Sequence, residues 1–294
     1  MTFLNHAATR GGIAFMQLLA WLPLPVIRAL GALLGRVLYA LAGSRRRVVH
    51  TNLRLCFAER SEAEREQLAR QTFVYFAQAW LDRSWLWHAP ARWIERRVSL
   101  TGALDELTAA GPAVAFVPHF VGMDAAWAGV TLRFPRPSAS IYTDQSNTIV
   151  DQWILKGRRR FGNLNLFARV DGAKPVVQAV RQGQPLYLLA DMDFGRADSV
   201  FVPFFGVPAA TVPSLHRFAR LGRARVFAVV STLTPTGYQI RILPTWPGFP
   251  TGDLTADTAL MNQHLEDYIR SQPAQYYWVH RRFKTRPEGV PGVY

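Results

Sequence analysis

Short apolar runs that alternate with helical stretches constrain the fold of this chain more than any other feature. From Gly111 onward, runs typical of strands lie at residues 113–118, 138–142, 185–190, 225–232 and 238–243. Segments with helical spacing lie at 122–132, 150–160, 173–181, 211–221 and 256–271, and the aromatic run 276–278 predicts a closing strand. The alternation predicts an α/β domain with a layered, mixed and largely parallel sheet flanked by helices.

Residues 11–43 form an almost wholly apolar segment that precedes this domain. Its uninterrupted part, 11–27, is at the short limit for a helix that spans a bilayer, and it contains two prolines. Arg28 and Arg36 would be costly inside the hydrocarbon of a longer span. We predict two helices, broken at Pro23–Pro25, that lie in a membrane interface. A single spanning helix and an ordinary helical hairpin of the core are the alternatives.

The residues that follow the apolar segment mark its end. A cluster of three arginines at 45–47 suits the anionic cytoplasmic leaflet of a membrane. A cleaved signal peptide is not expected, because no clean small-x-small cleavage site follows the apolar run. The sequence therefore predicts a membrane-associating helical segment at 1–45 and an α/β domain at 46–294. Within the domain, residues 59–88 are predicted to form an amphipathic helix.

The charge of the chain points to an anionic partner. Its 34 basic and 20 acidic residues give a net charge of +14, and all but three of the basic residues are arginine. With 49% hydrophobic and 18% charged residues the chain is not intrinsically disordered. The composition favours an anionic membrane over nucleic acid, because the arginines are dispersed among the strands without a nucleic-acid motif. The single cysteine, Cys56, excludes a disulfide framework and a cysteine-based zinc site.

The strongest candidate for catalysis is the pair His119 and Asp124. His119 ends an apolar strand, and Asp124 is expected in the first turn of the next helix, near enough to turn back to the imidazole. Sites of α/β folds lie beyond the carboxyl ends of strands. A carboxylate that binds one ring nitrogen leaves the other free to take a proton. Because the sequence has no GxSxG elbow, we expect the histidine to act on a hydroxyl brought by the substrate, although a structural histidine is the simpler alternative.

Arginine clusters and two acidic residues supply candidates for substrate binding. The clusters, at 157–160 and 281–286, can clamp phosphate groups of an acceptor or a donor, or form a solvated basic face. Asp191 and Asp193 follow the strand at 185–190; we expect Asp193 to orient arginines and Asp191 to orient a loop, and we expect no metal. The predicted substrate-binding residues are Arg158, Arg160, Arg169, Asp193, Arg281 and Arg282.

Taken together, these motifs resemble a known family over nearly the whole chain. The string WVHRRFKTRPEG at 278–289 is the most specific part, and the runs 191–195, 199–206 and 151–158 are also similar. The sequence resembles the late lauroyl/myristoyl-type acyltransferases of lipid A biosynthesis, within the lysophospholipid acyltransferase superfamily. Its His-x4-Asp motif matches the superfamily's catalytic pair. That family more often carries Glu at the acidic position. Because this sequence has Asp124 there, the motif does not indicate the length of the acyl chain that is transferred.

The resemblance implies a glycerolipid acyltransferase-like fold and a reaction without cofactor, metal or acyl-enzyme. His119, oriented by Asp124, would deprotonate a hydroxyl of a 3-hydroxyacyl chain on a lipid A precursor. The alkoxide would attack the thioester of an acyl–acyl carrier protein, an acidic partner that a chain of +14 attracts. The implied location is the cytoplasmic face of the bacterial inner membrane. The alternatives are acyl transfer to another lipid, such as a lysophospholipid or an aminolipid, and non-enzymatic binding of anionic lipid or nucleic acid.

Overall fold

The computed structural model describes residues 3–294, with side chains described from His6 onward. In this part of the chain the helices are α1 (Phe3–Leu19), α2 (Leu24–Leu41), α3 (Gly43–Cys56), α4 (Glu62–His88), α5 (Ala91–Arg97), α6 (Met123–Arg133), α7 (Thr148–Arg158), α8 (Ala173–Arg181), α9 (Ser214–Gly222) and α10 (Leu254–Ser271). The strands are β1 (Val98–Gly102), β2 (Ala113–Phe116), β3 (Ser138–Tyr142), β4 (Leu164–Ala168), β5 (Leu186–Leu188), β6 (Val200–Phe204), β7 (Val207–Thr211), β8 (Arg225–Thr234) and β9 (Gly237–Ile242).

Seven of these strands form one sheet in the order β1-β9-β8-β2-β5-β3-β4. Strands β8, β2, β5, β3 and β4 are mutually parallel, whereas β9 is antiparallel to β8 and parallel to β1. Strands β6 and β7 form a separate antiparallel hairpin. The predicted α/β class and the mixed, largely parallel sheet are therefore confirmed.

Side chains of the central strands alternate between two cores, one on each face of the sheet. Val114 and Phe116 of β2 join a core that α8, α9 and α10 cover, whereas Ala113 and Ala115 join a core that α6 and α7 cover. Because both faces are covered, β2 is buried along its whole length. The apolar run that predicted this strand is the consequence of burial on both sides.

The predicted elements differ from the structure in the start of one helix, in one segment that is not a strand, and in strands that were not predicted. The helix predicted at 211–221 begins at Ser214, because Thr211 ends β7, where it pairs with Val200. The aromatic run at 276–278 is not a strand; a single bridge joins Tyr276 to Phe120. Strands β1 and β4 were not predicted, because most of their residues are only partly buried and they lack a continuous apolar run. The β6–β7 hairpin was not predicted although β6 is apolar throughout, because Pro203 and Pro208 interrupt the strand pattern.

The N-terminal apolar segment forms two helices, α1 and α2, with the break at the predicted prolines. Helix α2 packs closely on α4, since a Cβ atom on Gly35 would lie 2.5 Å from the Cα of Val74, and one on Gly31 would lie 2.7 Å from the Cα of Gln78. Helix α4 matches the helix predicted at 59–88, and it begins with a capping box formed by Ser61 and Glu64. The hairpin of α1 and α2 is therefore attached to the domain along its length.

A buried ion pair fixes the inner face of this hairpin. Arg28 of α2 contacts Asp82 of α4 at 3.0 Å and donates to the carbonyl of Gly237 at 3.1 Å. Asp82 also accepts hydrogen bonds from Tyr238 Oη at 2.6 Å and Trp85 Nε1 at 2.9 Å. The guanidinium that the sequence placed in the apolar segment thus points into the protein, where a carboxylate and a carbonyl compensate it.

The outer face of the hairpin is apolar and exposed. The large hydrophobic side chains that it presents are Phe15, Leu18, Trp21, Val26, Leu30, Leu33, Val37 and Leu41, and we call them the hairpin face. Leu18 and Leu41 are 71% and 79% exposed. By length and composition α2 is the single candidate for a membrane-spanning helix in residues 3–294, although a third of it is buried within the protein.

We expect Gly35→Ala to lower the free energy of unfolding by about 1–3 kcal/mol, because the added methyl group overlaps the backbone of α4. Gly11→Ala is the control, because a Cβ atom on Gly11 would have no other atom within 4 Å. Alanine also has a higher helix propensity than glycine. Thermal unfolding in detergent compares the two variants. Equal melting temperatures would contradict the close packing of α2 on α4.

Candidate active site

Two neighbouring parallel strands bring His119 and Asp191 together. Phe116 of β2 lies in register with Leu188 of β5, and each candidate residue follows its strand partner by three positions. The N–H of Val117 donates to the carbonyl of Leu188 at 2.9 Å and extends the pairing toward the site. Because both strands end at the same edge of the sheet, their two loops meet there.

Asp191 is the carboxylate that orients His119. The Nδ1 atom of His119 lies 2.6 Å from Oδ1 of Asp191, and the backbone N–H of His119 donates to Oδ2 at 3.0 Å. Burial raises the pKa of Asp191, but the charge of His119 and the hydrogen bonds that His119 and Tyr276 donate outweigh it, so this pKa is lowered. In the neutral imidazole, an anionic carboxylate beside Nδ1 favours the tautomer that carries its proton on Nδ1, which leaves Nε2 as an acceptor.

The loop that carries His119 is held from its other side by the chain beyond α10. The carbonyl of His119 accepts from the N–H of Tyr277 at 3.0 Å, and the N–H of Val121 donates to the carbonyl of Gln275 at 3.0 Å. The ring of Tyr277 lies 6.2 Å from the imidazole, centroid to centroid. The aromatic run at 276–278 thus contributes to the site by fixing the histidine loop.

Asp124 has different partners from those that the sequence predicted. It lies in the first turn of α6, but its Oδ2 accepts from Nε of Arg83 at 2.8 Å and its Oδ1 from Nε of Arg158 at 3.0 Å. Burial raises the pKa of Asp124, and the two guanidinium groups overcome this effect and lower it to about 2. The predicted orientation of His119 by Asp124 is therefore corrected: two arginines from α4 and α7 hold Asp124, and Asp191 takes its place at the imidazole.

His119 and Asp124 face one cavity of about 700 Å³. Its lining is mostly apolar and includes His119, Asp124 and Arg158. Strands β3 and β5 pair only at two positions, Ala139 with Leu186 and Ser140 with Tyr187, and beyond them both strand ends line the cavity. The cavity opens where the two strands separate, so side chains from both faces of the sheet reach it.

The other predicted substrate-binding residues are distributed around the protein. Arg169 lines the cavity and stacks on Phe194, with its guanidinium carbon 4.3 Å from the ring centroid. Arg281 is exposed, outside the cavity lining, and lies over the ring of Tyr294. The structure thus brings Arg158 and Arg169 to the cavity and leaves Arg281 apart from it.

Arg160, Arg282 and Asp193 have partners within the protein and do not line the cavity, so their role in binding substrate stays a prediction. Arg160 donates to carbonyls at the end of α4, those of Leu86 and Ala89. Arg282 is 1% exposed and donates to the carbonyl of Ala210 and the hydroxyl of Thr211.

The carboxylate of Asp193 joins the loop after β5 to the C-terminal segment. It accepts from the N–H and the hydroxyl of Thr285 at 2.7 and 2.8 Å, and from the N–H of Gly195 at 2.9 Å. Of the two acidic residues after β5, Asp193 thus orients loops, and Asp191 orients the histidine.

The sequence analysis missed one residue of the site and assigned another role to a second. Arg83 lies on the predicted helix 59–88, where no motif marks it, and it reaches Asp124 from α4. Asp191 was identified but was given a different role. The signal that could have identified it is its position: like His119, it directly follows an apolar run predicted as a strand. Within residues 3–294 no group of three or more His, Cys, Asp or Glu side chains is arranged to hold a metal ion.

Comparison with known proteins identifies the family to which this chain belongs. The chain matches the family model for bacterial lipid A biosynthesis acyltransferases over residues 3–285. It is 33% identical to the lipid A biosynthesis lauroyltransferase of Escherichia coli K12 over 289 residues, which cover 96% of this chain and 93% of that protein. It is 34% identical to the lipid A biosynthesis myristoyltransferase of the same strain over 283 residues, which cover 95% and 87%. The crystal structure of the 1-acyl-sn-glycerophosphate acyltransferase PlsC from Thermotoga maritima is similar with a TM-score of 0.39 and 12% identity, over 84% of this chain and 95% of that one.

The chain therefore belongs to the bacterial lipid A biosynthesis acyltransferases. Membership of this family makes it an acyltransferase of lipid A biosynthesis, with a lipid A precursor as the acceptor. The predicted resemblance is confirmed.

His280, which contacts the loop after β5, makes the stability of the fold sensitive to pH. Its Nε2 accepts from the N–H of Asp193 at 3.2 Å, and burial, followed by the charges of Arg282 and His119, lowers its pKa from 6.5 to about 4. Between these values the unfolded chain binds a proton that the folded chain does not. His280 therefore stabilises the fold above about pH 6.5, and this contribution is lost as the pH falls toward 4.

We expect the free energy of unfolding to fall by up to about 3 kcal/mol more in the wild type than in His280→Gln between pH 6.5 and 4. Glutamine keeps an acceptor for the N–H of Asp193 but does not titrate. Urea unfolding in detergent at several pH values measures the difference. Parallel curves for the two proteins would exclude His280 as the source.

Proposed function

We propose that this chain transfers a fatty acyl group from the thioester of an acyl carrier protein to the hydroxyl of a 3-hydroxyacyl chain on a lipid A precursor. The observation that carries the proposal is the His119–Asp191 pair, which lies at the wall of an apolar cavity with Nε2 of His119 free to accept a proton. Family membership supplies the reaction class, and the cavity supplies a place for a fatty chain.

His119 acts as the general base. Its Nε2 removes the proton of the acceptor hydroxyl as the oxygen attacks the thioester carbonyl, and Asp191 stabilises the imidazolium that forms. The new C–O bond forms, the C–S bond breaks, and the proton passes from His119 to the departing thiolate. Proton transfer by a positioned base contributes about a hundred- to ten-thousand-fold in rate. No acyl-enzyme is needed, because the acceptor brings its own nucleophile.

Asp124 serves the reaction through Arg158. The carboxylate holds the guanidinium of Arg158 at the cavity wall, and Arg83 on the opposite side adds a second positive charge. The three groups together carry a net charge of +1, and two of them, Asp124 and Arg158, line the same cavity as His119. A cation in this position stabilises the negative oxygen that develops on the thioester carbonyl. The acidic residue of the His-x4-Asp motif is thus a positioning residue for an arginine.

We also propose that the N-terminal segment, 1–45, holds the enzyme on the cytoplasmic face of the bacterial inner membrane. The hairpin face is continuous along α1 and α2, and three arginines at 45–47 begin the next helix. Apolar side chains enter the acyl region of one leaflet, and the arginines contact anionic headgroups. The buried Arg28–Asp82 pair favours the interfacial arrangement over a span, because a span would separate the two charges.

The test of the reaction is a strain that lacks this protein, complemented with the wild type or with His119→Ala. We expect lipid A from the wild-type strain to carry one secondary acyl chain that is missing with His119→Ala, as measured by mass spectrometry. The purified variant should lose at least about a hundredfold in the rate of acyl transfer while its membrane binding persists. Unchanged lipid A, or a change confined to phospholipids, would contradict the proposal.

The kinetics of two further variants separate the roles of the two aspartates. Asp191→Asn removes the anion that orients the imidazole, so we expect kcat/KM to fall by about a thousandfold or more. Asp124→Asn acts only through the displaced arginine, so we expect a smaller loss of about a hundredfold. A larger loss in Asp124→Asn than in Asp191→Asn would instead return the orienting role to Asp124.

Membrane attachment is tested by substitutions on the hairpin face. We expect Leu33→Glu with Leu41→Glu to release the protein from membranes, because both side chains are exposed in α2 and become charged. Leu104→Glu, an exposed leucine of the domain, is the control. Sedimentation with vesicles measures binding, and alkaline carbonate should extract the wild type. Retention after carbonate treatment would favour a spanning helix.

A further inference from the structure

Helices α8 and α9 carry a surface of a single charge sign. Their exposed basic residues, with the residue that follows α9, are Lys174, Arg181, Arg217, Arg220 and Arg223, which we call the α8–α9 surface. Residues 173–181 and 214–223 contain no acidic side chain, and none of the five basic residues forms an ion pair within residues 3–294. None of these five positive charges is therefore paired with a carboxylate.

The α8–α9 surface is rigid. A Cβ atom on Gly222 would lie 2.6 Å from Cγ1 of Val180, so the two helices are in close contact. Nε of Arg181 donates to the carbonyl of Leu221 at 2.9 Å and joins the end of α8 to α9. A buried pair, His216 with Asp257 at 2.6 Å, ties α9 to α10. A surface that is already ordered costs little entropy when it binds a partner.

The same two helices form one wall of the active-site cavity. Val176 of α8 and Arg217, Phe218 and Leu221 of α9 line it. Leu221 is 47% exposed and therefore places an apolar side chain at the border between the cavity and the basic surface. A partner bound to the surface can thus insert a long substituent directly into the cavity.

The α8–α9 surface and the N-terminal hairpin belong to opposite faces of the sheet. Val176 and Phe218 join the core that α10 also covers, whereas Met16, Leu19 and Ile27 of the hairpin join the core of α6 and α7. Because the cavity opens between β3 and β5, side chains of both faces line it. A lipid held at the hairpin and a partner on α8–α9 reach His119 from different sides.

We infer that the α8–α9 surface is the docking site of the donor, an acidic carrier protein whose phosphopantetheine arm delivers the acyl thioester into the cavity. This inference rests on the carrier-protein donor of the proposed function. Positive charge that is not paired with carboxylates and the direct connection to the cavity both fit an acidic protein with a long prosthetic arm. Asp171 precedes α8 and Asp253 precedes α10, where each accepts backbone hydrogen bonds, and Asp198 lines the cavity.

The test compares two donors with the same acyl group, the acyl carrier protein and free acyl-phosphopantetheine. The variant is Lys174→Glu with Arg220→Glu, two exposed residues that do not line the cavity. We expect its KM for the acyl carrier protein to rise about tenfold and to lose most of its dependence on salt. Its kcat/KM for acyl-phosphopantetheine should stay within about twofold of the wild type, because that donor does not need the surface.

Arg92→Glu with Arg96→Glu on α5 is the matched control, because it makes the same change in net charge on the other face of the sheet. An equal rise in KM for both double variants would attribute the effect to total charge and overturn the inference. An unchanged KM in Lys174→Glu with Arg220→Glu would overturn it as well, as would equal losses with both donors. Loss of binding to anionic vesicles with an unchanged KM would assign the surface to the membrane instead. If the wild-type enzyme uses neither donor, the proposed function itself fails.

Discussion

The proposed active site depends on one contact, the hydrogen-bonded pair of His119 and Asp191. Neither residue lies in a helix or a strand, so their separation is determined by the register of β2 with β5 and by the loops that hold both strand ends. The same carboxylate binds the ring and the backbone of His119, which orients the imidazole and the peptide together. Any change that shifts β5 along β2 by one residue would separate the imidazole from its carboxylate. The central strands of the sheet therefore hold the candidate site together as well as the core.

Around this pair, charged side chains of the same type have different partners. Asp191 is the anion of the imidazole, whereas Asp124 is the anion of two arginines, and the low pKa of about 2 keeps it charged under all physiological conditions. Arginines that the sequence groups into clusters serve different purposes in the structure: Arg158 faces the cavity, and Arg160 and Arg282 bind carbonyls of the backbone. The net charge of +14 is therefore the sum of charges at the cavity, charges that bind the backbone and charges on the surface.

Local pattern predicted the elements that bury continuous apolar runs, and it did not predict partners distant in sequence. The strand at 138–142, the helix at 173–181 and the break at Pro23–Pro25 follow from residues that are near each other in the chain. Asp191 and His119 are 72 positions apart, and only the sheet brings them together. The spacing of Asp124 suggested that it would turn back to His119, but two arginines from other helices attract the carboxylate more strongly. The edge strands β1 and β4 escaped prediction because one side of each is partly exposed.

The ion pair of the hairpin also has a consequence for the biogenesis of the enzyme. Arg28 leaves the ribosome early, whereas its carbonyl partner Gly237 lies 209 positions later in the chain. Until nearly the whole polypeptide has been synthesised, the inner face of the hairpin contains a guanidinium whose partners are incomplete. Inserting such a hairpin into lipid during translation would be unfavourable, whereas insertion after release would present only its finished apolar side. The order of synthesis thus favours a protein that folds first and reaches its membrane afterwards.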